Sequence, residues 1–189
     1  MGKVEEYRMT LRTLDTWNEY LKAESCLPGP RANLELAYAA GLEGTKQQLI
    51  TYAELDPDAA PKNTPEEFLV ICGVMGLGYL MVRGQGDYFP ILRQRANDPR
   101  WRVREAVALG LQNYGLVSME SLLVEMGDWS TGTPLERRAA VATVCEPDLL
   151  LDSDHASKVL DILDEITVKT KVKLGLIKSD EKSEEKQSK

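Results

Sequence analysis

The sequence predicts an all-α chain: a right-handed α-solenoid of about four two-helix repeats behind an N-terminal capping helix. Three observations predict it. Prolines stand at 30, 65, 99 and 134, at intervals of 35, 34 and 35 residues. Small residues recur in phase with them: Ala37, Cys72, Ala106 and Val141 seven positions on, then Gly41-Leu42, Gly76-Leu77 and Gly110-Leu111, with Cys145 at the matching place of the fourth unit. Every unit also carries a second stretch with helical spacing, and no run reads as a strand. A period near 35 residues with two helices per unit is the signature of stacked helical repeats.

Taken in order, residues 1–27 form the cap. Leu11, Leu14, Trp17 and Leu21 give the segment from Val4 to Ala23 an apolar side, and it reads as one helix. The array spans 28–168, in units of about 30–64, 65–98, 99–133 and 134–168. Each proline suits a first helical turn, where its missing N–H costs nothing. Asn63-Thr64, Asn97-Asp98 and Thr133 are placed to cap. The second helices fall at Lys46 to Leu55, Tyr88 to Ala96, Met119 to Met126 and His155 to Ile166. The last has Val159, Ile162, Leu163 and Ile166 on one stripe. Residues 154–168 then serve as the C-terminal cap. The motifs Arg104-Glu-Ala-Val-Ala108 and Arg138-Ala-Ala-Val-Ala142 are offset by 34, one off the proline frame, so the fourth unit is expected to be slipped or degraded. The uncharged run Phe68 to Val82 is too short to span a bilayer and reads as a helix buried between neighbours. The segment Leu27 to Glu35, LPGPRANLE, is too distinctive for a plain linker but suggests no role of its own.

Composition narrows the function classes. The formal charge is −7, which argues against a dedicated binder of nucleic acid or anionic membranes. Residues 169–189 hold seven lysines against four acids, so the first 168 residues carry the acidity. The tail has too little apolar surface to offset its chain entropy and is expected to be disordered. One His and three Cys do not make a four-ligand zinc site of usual spacing, and no metal or cofactor is expected. The start MGKVEEYRMT has no apolar signal region, and unpaired thiols suit a reducing cytoplasm. His155 reads as the exposed first turn of a helix, and the three cysteines read as small core residues.

The stretch 97–115, NDPRWRVREAVALGLQNYG, resembles the first helix of a HEAT repeat at Asp98, Pro99, Val103, Arg104, Ala106, Leu109 and Gly110. The fourth unit keeps Pro134, Arg138 and Ala140 of that pattern. The resemblance implies a HEAT-like array in which Asp98, Pro99, Val103, Arg104, Gly110, Pro134 and Arg138 are structural, with Arg104 and Arg138 bonding acids such as Asp98 in an internal ladder. It also implies a distant similarity to the alkylpurine DNA glycosylases, whose HEAT-like fold carries a helix-borne Asp one turn after a Trp. Trp101 and Glu105 share that spacing, but the acid is not Asp.

Arginine is dense in the middle of the chain, at 83, 93, 95, 100, 102 and 104, against Asp87 and Asp98. Arg93, Arg95, Trp101, Arg102 and Arg137 are the candidate partner-binding residues. With acids at Glu120, Glu125 and Asp128 beyond them, the face of the second helices is bipolar, which suits a protein or peptide more than a uniformly charged polymer. The expected function is a non-enzymatic interaction scaffold with no catalytic residues. The alternative is a DNA-binding or DNA-repair protein that uses the arginine-rich middle on phosphates.

Overall fold

A computed structural model describes residues 2–176, and these are all-helical, with no strand among them. The helices are α1 (Lys3–Thr13), α2 (Asn18–Ala23), α3 (Leu34–Glu43), α4 (Lys46–Ala53), α5 (Pro65–Val82), α6 (Phe89–Ala96), α7 (Trp101–Trp129), α8 (Pro134–Val144) and α9 (Ser153–Lys173), with a short 3₁₀ turn at Pro147–Leu149.

Several boundaries follow from capping. Thr64 accepts the Glu67 N–H at 3.4 Å and starts α5 with Pro65 in the first turn. Thr133 starts α8 the same way before Pro134, and the Glu136 side chain answers by accepting the Thr133 N–H. Asp152 accepts from the backbones of Asp154 and His155, which places His155 in the first turn of α9. Two prolines behave otherwise. Pro99 lies ahead of α7, and Pro30 lies in a loop, because α3 begins only at Leu34 under an Asn33 cap.

The N-terminal segment is two helices instead of one. Leu14 is extended (φ −94°, ψ 131°), and the buried Trp17 folds back to donate its indole N–H to Leu11 O at 3.0 Å. At the other end, α9 continues through Lys173, so the boundary at 168 falls inside a helix. The remainder of the expected disordered tail, from 177 on, lies outside the described residues.

Helix α7 runs from Trp101 to Trp129 and takes in the stretch Met119 to Met126 that the sequence reads as a separate helix. Ser118 leaves helical geometry (φ −137°, ψ 54°), and a Cβ on Gly115 would lie 2.6 Å from Leu122 Cδ2. Seven residues of straight helix rise about 10.5 Å, so the chain must double back at Ser118. The hairpin closes without a loop.

Packing follows chain order. Helix α5 is buried along most of its length, between α3 on one side and the first half of α7 on the other, with α4 across it. α8 packs on α7, α6 lies against α7 and α8, and α9 closes the far end on α7 and α8. The small positions are where helices approach most closely: Ala37, Cys72 and Ala106 are buried. On α8, Ala140 is buried while Val141 is only half-buried. Cys26 and Cys145 are exposed, which corrects their assignment to the core; only Cys72 belongs there. Burial pushes the Cys72 thiol well above its usual range.

The closest approach is between backbones, because a Cβ on Gly78 would run into the carbonyl of Gly110. Gly78→Ala is therefore expected to cost about 3 kcal/mol by overpacking, read as a lower midpoint in thermal unfolding. Gly127→Ala, in the same fold but with nothing near its added methyl, should be neutral or slightly stabilising. At the N-terminus, Glu43 on α3 takes hydrogen bonds from Arg8 (2.7 Å) and Arg12 (2.7 and 2.8 Å) of α1. The Arg12 guanidinium, then that of Arg8, hold its carboxyl down at about 2 despite the opposing effect of burial. A depressed folded pKa stabilises fully above the usual 4.5 and is lost as pH falls towards 2. Glu43→Gln should cost about 1–2 kcal/mol at neutral pH and progressively less in acid, measured as unfolding midpoint against pH.

Candidate functional site

The segment 24–33 has a role after all. Its backbone is irregular, with Cys26 at φ 59° and a cis Leu27–Pro28 bond, and it is fixed at several points. Asn33 caps α3 through Leu36 N (3.2 Å) and donates its amide to Tyr7 Oη (3.0 Å) and Glu24 O (2.9 Å), joining α1, the loop and α3. The Gly29 N–H donates to Asn63 Oδ1 (3.3 Å), and Gly29 O accepts from Arg102 Nη2 (2.6 Å). A Cβ at Gly29 would strike the Cys26 carbonyl, so the loop closes only around glycine. Asn63 is itself left-handed (φ 62°), a geometry Asn tolerates, and its N–H donates to Glu67 Oε2 at 2.7 Å.

These anchors shape one wall of a groove of about 1000 Å³. Tyr7 of α1, the 24–33 loop, and Leu34 and Tyr38 of α3 form that wall. Ile71 of α5 is the floor, and Trp101, Arg102, Glu105, Ala106 and Leu109 of α7 form the opposite wall. Trp101 is 41% exposed, with the Arg102 guanidinium carbon 4.6 Å from its ring centre. Charges of both signs rim the opening: Lys3 and Arg31 against Glu24 and Glu35. Arg31 stands in the loop, not one helical turn from Glu35 as their spacing suggests. A second hollow of about 360 Å³ lies between Phe89 and Tyr114, which meet edge to face with centroids 5.4 Å apart, and the carboxylates of Asp87 and Glu125. Burial, with Asp87 and Asp128 nearby, raises the Glu125 carboxyl above its usual value.

The arginine-rich middle is used inside the fold. Arg83 donates to Leu42 O at 3.0 Å, over the end of α3. Arg93 is held by Glu136 (3.0 and 3.1 Å) and by Asp128, which keeps Glu136 below its usual pKa against burial. Arg95 pairs with Asp98 at 3.2 Å. Arg100 is 1% exposed and uses all five N–H donors: Nε and Nη2 on Asp98 (2.8 and 2.7 Å), Nη2 on Leu55 O (3.0 Å), Nη1 on Ala60 O (2.9 Å) and Asp56 O (3.3 Å). Arg104 donates to the carbonyls of Asp98 (2.7 Å) and Pro99 (3.2 Å), not to the Asp98 carboxylate. Arg138 pairs with Glu105. The expected ladder therefore fails at Arg104, because the Asp98 carboxylate belongs to Arg100 and Arg95, while Arg138 does reach an acid 33 residues back. Arg137 is half-buried on α8 and outside the groove, as are Arg93 and Arg95. Of the five candidate partner residues, the structure brings only Trp101 and Arg102 to one surface. Val103 and Gly110 are buried on α7, and Pro134 starts α8.

Sequence reading missed Glu67, Arg100, Asn33, Tyr7 and Tyr38. Glu67 follows Thr64 at capping-box spacing, so its sequence signal points to an exposed cap; its carboxylate is instead buried, with Oε1 lacking any partner. Arg100 is held by Asp98 two residues away and by the distant carbonyls of Leu55, Asp56 and Ala60, which no local pattern announces.

Among the described residues no three His, Cys, Asp or Glu side chains gather closely enough to hold a metal ion. His155 and Lys158 of α9 pair with Glu120 across to α7 on the outer surface.

Breaking the buried ion pair should show. Burial opposes ionisation of Asp98, but the hydrogen bonds from Arg100 outweigh it and hold the carboxyl below 3.8. Arg100→Met, which leaves Asp98 only Arg95 as a cation and takes a donor from the carbonyls of Leu55, Asp56 and Ala60, is expected to cost about 3–5 kcal/mol, measured by denaturant unfolding. The loss should shrink as pH falls through the carboxylate range, because protonated Asp98 no longer needs the cation. Comparison with protein-family models, with curated proteins and with solved structures returned no match.

Proposed function

We propose that the chain is a non-enzymatic interaction module: a short HEAT-like array whose groove, between α1–α3 and α7, holds a segment of a partner protein. The observation that carries this reading is the groove itself. It offers aromatic side chains (Tyr7, Tyr38, Trp101) and apolar ones (Leu34, Ile71, Leu109) between charges of both signs. Exposed aromatics beside arginine are the residue types that dominate protein–protein binding energy. The array reading draws support from the chain-ordered packing of α3, α5, α7 and α8, with α4, α6 and α9 across them, and from the buried small residues at repeat spacing. Exposed, unpaired Cys26 and Cys145 fit a reducing compartment such as the cytoplasm.

The second reading, a DNA-binding protein related to the alkylpurine DNA glycosylases, has one observation in its favour: Trp101 and Glu105 share the groove wall one turn apart. Against it, Arg138 pairs with Glu105, and all six arginines between 83 and 104 donate within the chain, with Arg93, Arg95 and Arg100 held by carboxylates, so half of the cluster is neutralised inside the fold.

Two measurements test these readings. Short peptides selected from a random library on the wild-type protein should bind in the groove, and Trp101→Ala should weaken them by about tenfold or more with an unchanged unfolding midpoint. Duplex DNA titrated at low and at moderate salt should show no binding at either; salt-sensitive binding would favour the second reading.

A further inference from the structure

We infer that the partner segment is acidic, and that it seats a carboxylate on Arg102 with the adjoining apolar or aromatic side chain against Trp101. This rests on the groove being the binding surface. Arg102 lines the groove yet is only 7% exposed. Its Nη2 donates to Gly29 O, Glu67 Oε2 stays 3.6 Å from Nη1, and Nε has no acceptor. Nε is closed off from the groove, but a guanidinium carries five N–H donors, and the Nη1 edge, held only by the long ion pair to Glu67, has donors left for a second acceptor. One carboxylate accepting from a fork of donors matches that demand.

The remaining charges do not reverse the sign. Lys3, Arg31, Glu24 and Glu35 are exposed, where ion pairs are screened and contribute little. Glu105 is already joined to Arg138. The desolvated cation therefore selects the ligand, and Arg31, exposed at the rim, adds to its attraction. A doubly charged phosphate fits less well, because Glu67 lies directly behind Arg102 and two further carboxylates stand at the opening. The Trp101 ring beside the guanidinium offers its exposed face to whatever side chain neighbours the acid.

The test uses peptides selected from a random short-peptide library on the full chain, titrated by calorimetry. The selected sequences should share an Asp or Glu next to an aliphatic or aromatic residue. Replacing that acid by its amide should weaken binding by about tenfold, and this arm needs no protein variant. Arg102→Gln should weaken the acidic peptide equally while leaving the amide peptide unchanged. Because that substitution strips Glu67 of its partner, a second variant carrying Glu67→Gln as well keeps the buried site neutral. Peptides that bind in the groove without an acid, or that bind Arg102→Gln undiminished, overturn this inference and leave the binding-module reading standing. A library that yields no groove-binding peptide overturns both.

Discussion

The groove depends on where Arg100 is sent. Its guanidinium is buried between the end of α6, the start of α7 and the 55–60 connection, and all five of its donors are occupied. A buried cation survives in a core only when its hydrogen bonds replace those of water, and here they come from one carboxylate and three carbonyls of a distant loop. That requirement fixes the first turn of α7. With Arg100 turned inward, the next two residues point elsewhere: Trp101 into the groove and Arg102 across it to Gly29. Three consecutive side chains thus do three jobs, and the first orients the other two.

A second consequence concerns the charge economy of the surface. A cluster of arginines on an acidic chain looks like a patch for an anionic polymer. The fold uses four of those arginines, 83, 93, 100 and 102, to tie elements together across 35 to 73 residues of sequence, as in Arg93 to Asp128 and Arg102 to Gly29. Fork-shaped donors can bridge several acceptors at once, which lysine cannot do as well. What is left for a partner is a mixed, aromatic-lined opening on the side of the first helices, away from Arg93 and Arg95.

Much of the architecture was legible. The Thr-Pro caps marked α5 and α8 to the residue, and the small residues Ala37, Cys72 and Ala106 fell at buried positions on α3, α5 and α7. Pro30 misled, since a proline in an irregular loop looks the same in sequence as one in a first turn. The break at Leu14 was invisible because Leu14 and Trp17 keep helical spacing even though Trp17 bends back to Leu11. The groove was hardly legible at all. Trp101 and Arg102 were named, but Tyr7, Asn33, Tyr38 and Glu67 meet them only through long-range contacts that no local pattern encodes.

The loopless hairpin in α7 sets a limit on how this chain can vary. Met119, Leu122, Leu123 and Met126 are buried immediately after the break at Ser118. One added residue there would rotate them by about 100° and turn the apolar side outward. The connection at 84–87 carries exposed residues and can absorb changes in length, whereas that at 54–64 is held by Arg100 and Gly29. Insertions and deletions among descendants of this sequence should therefore gather at 84–87 and avoid the break in α7.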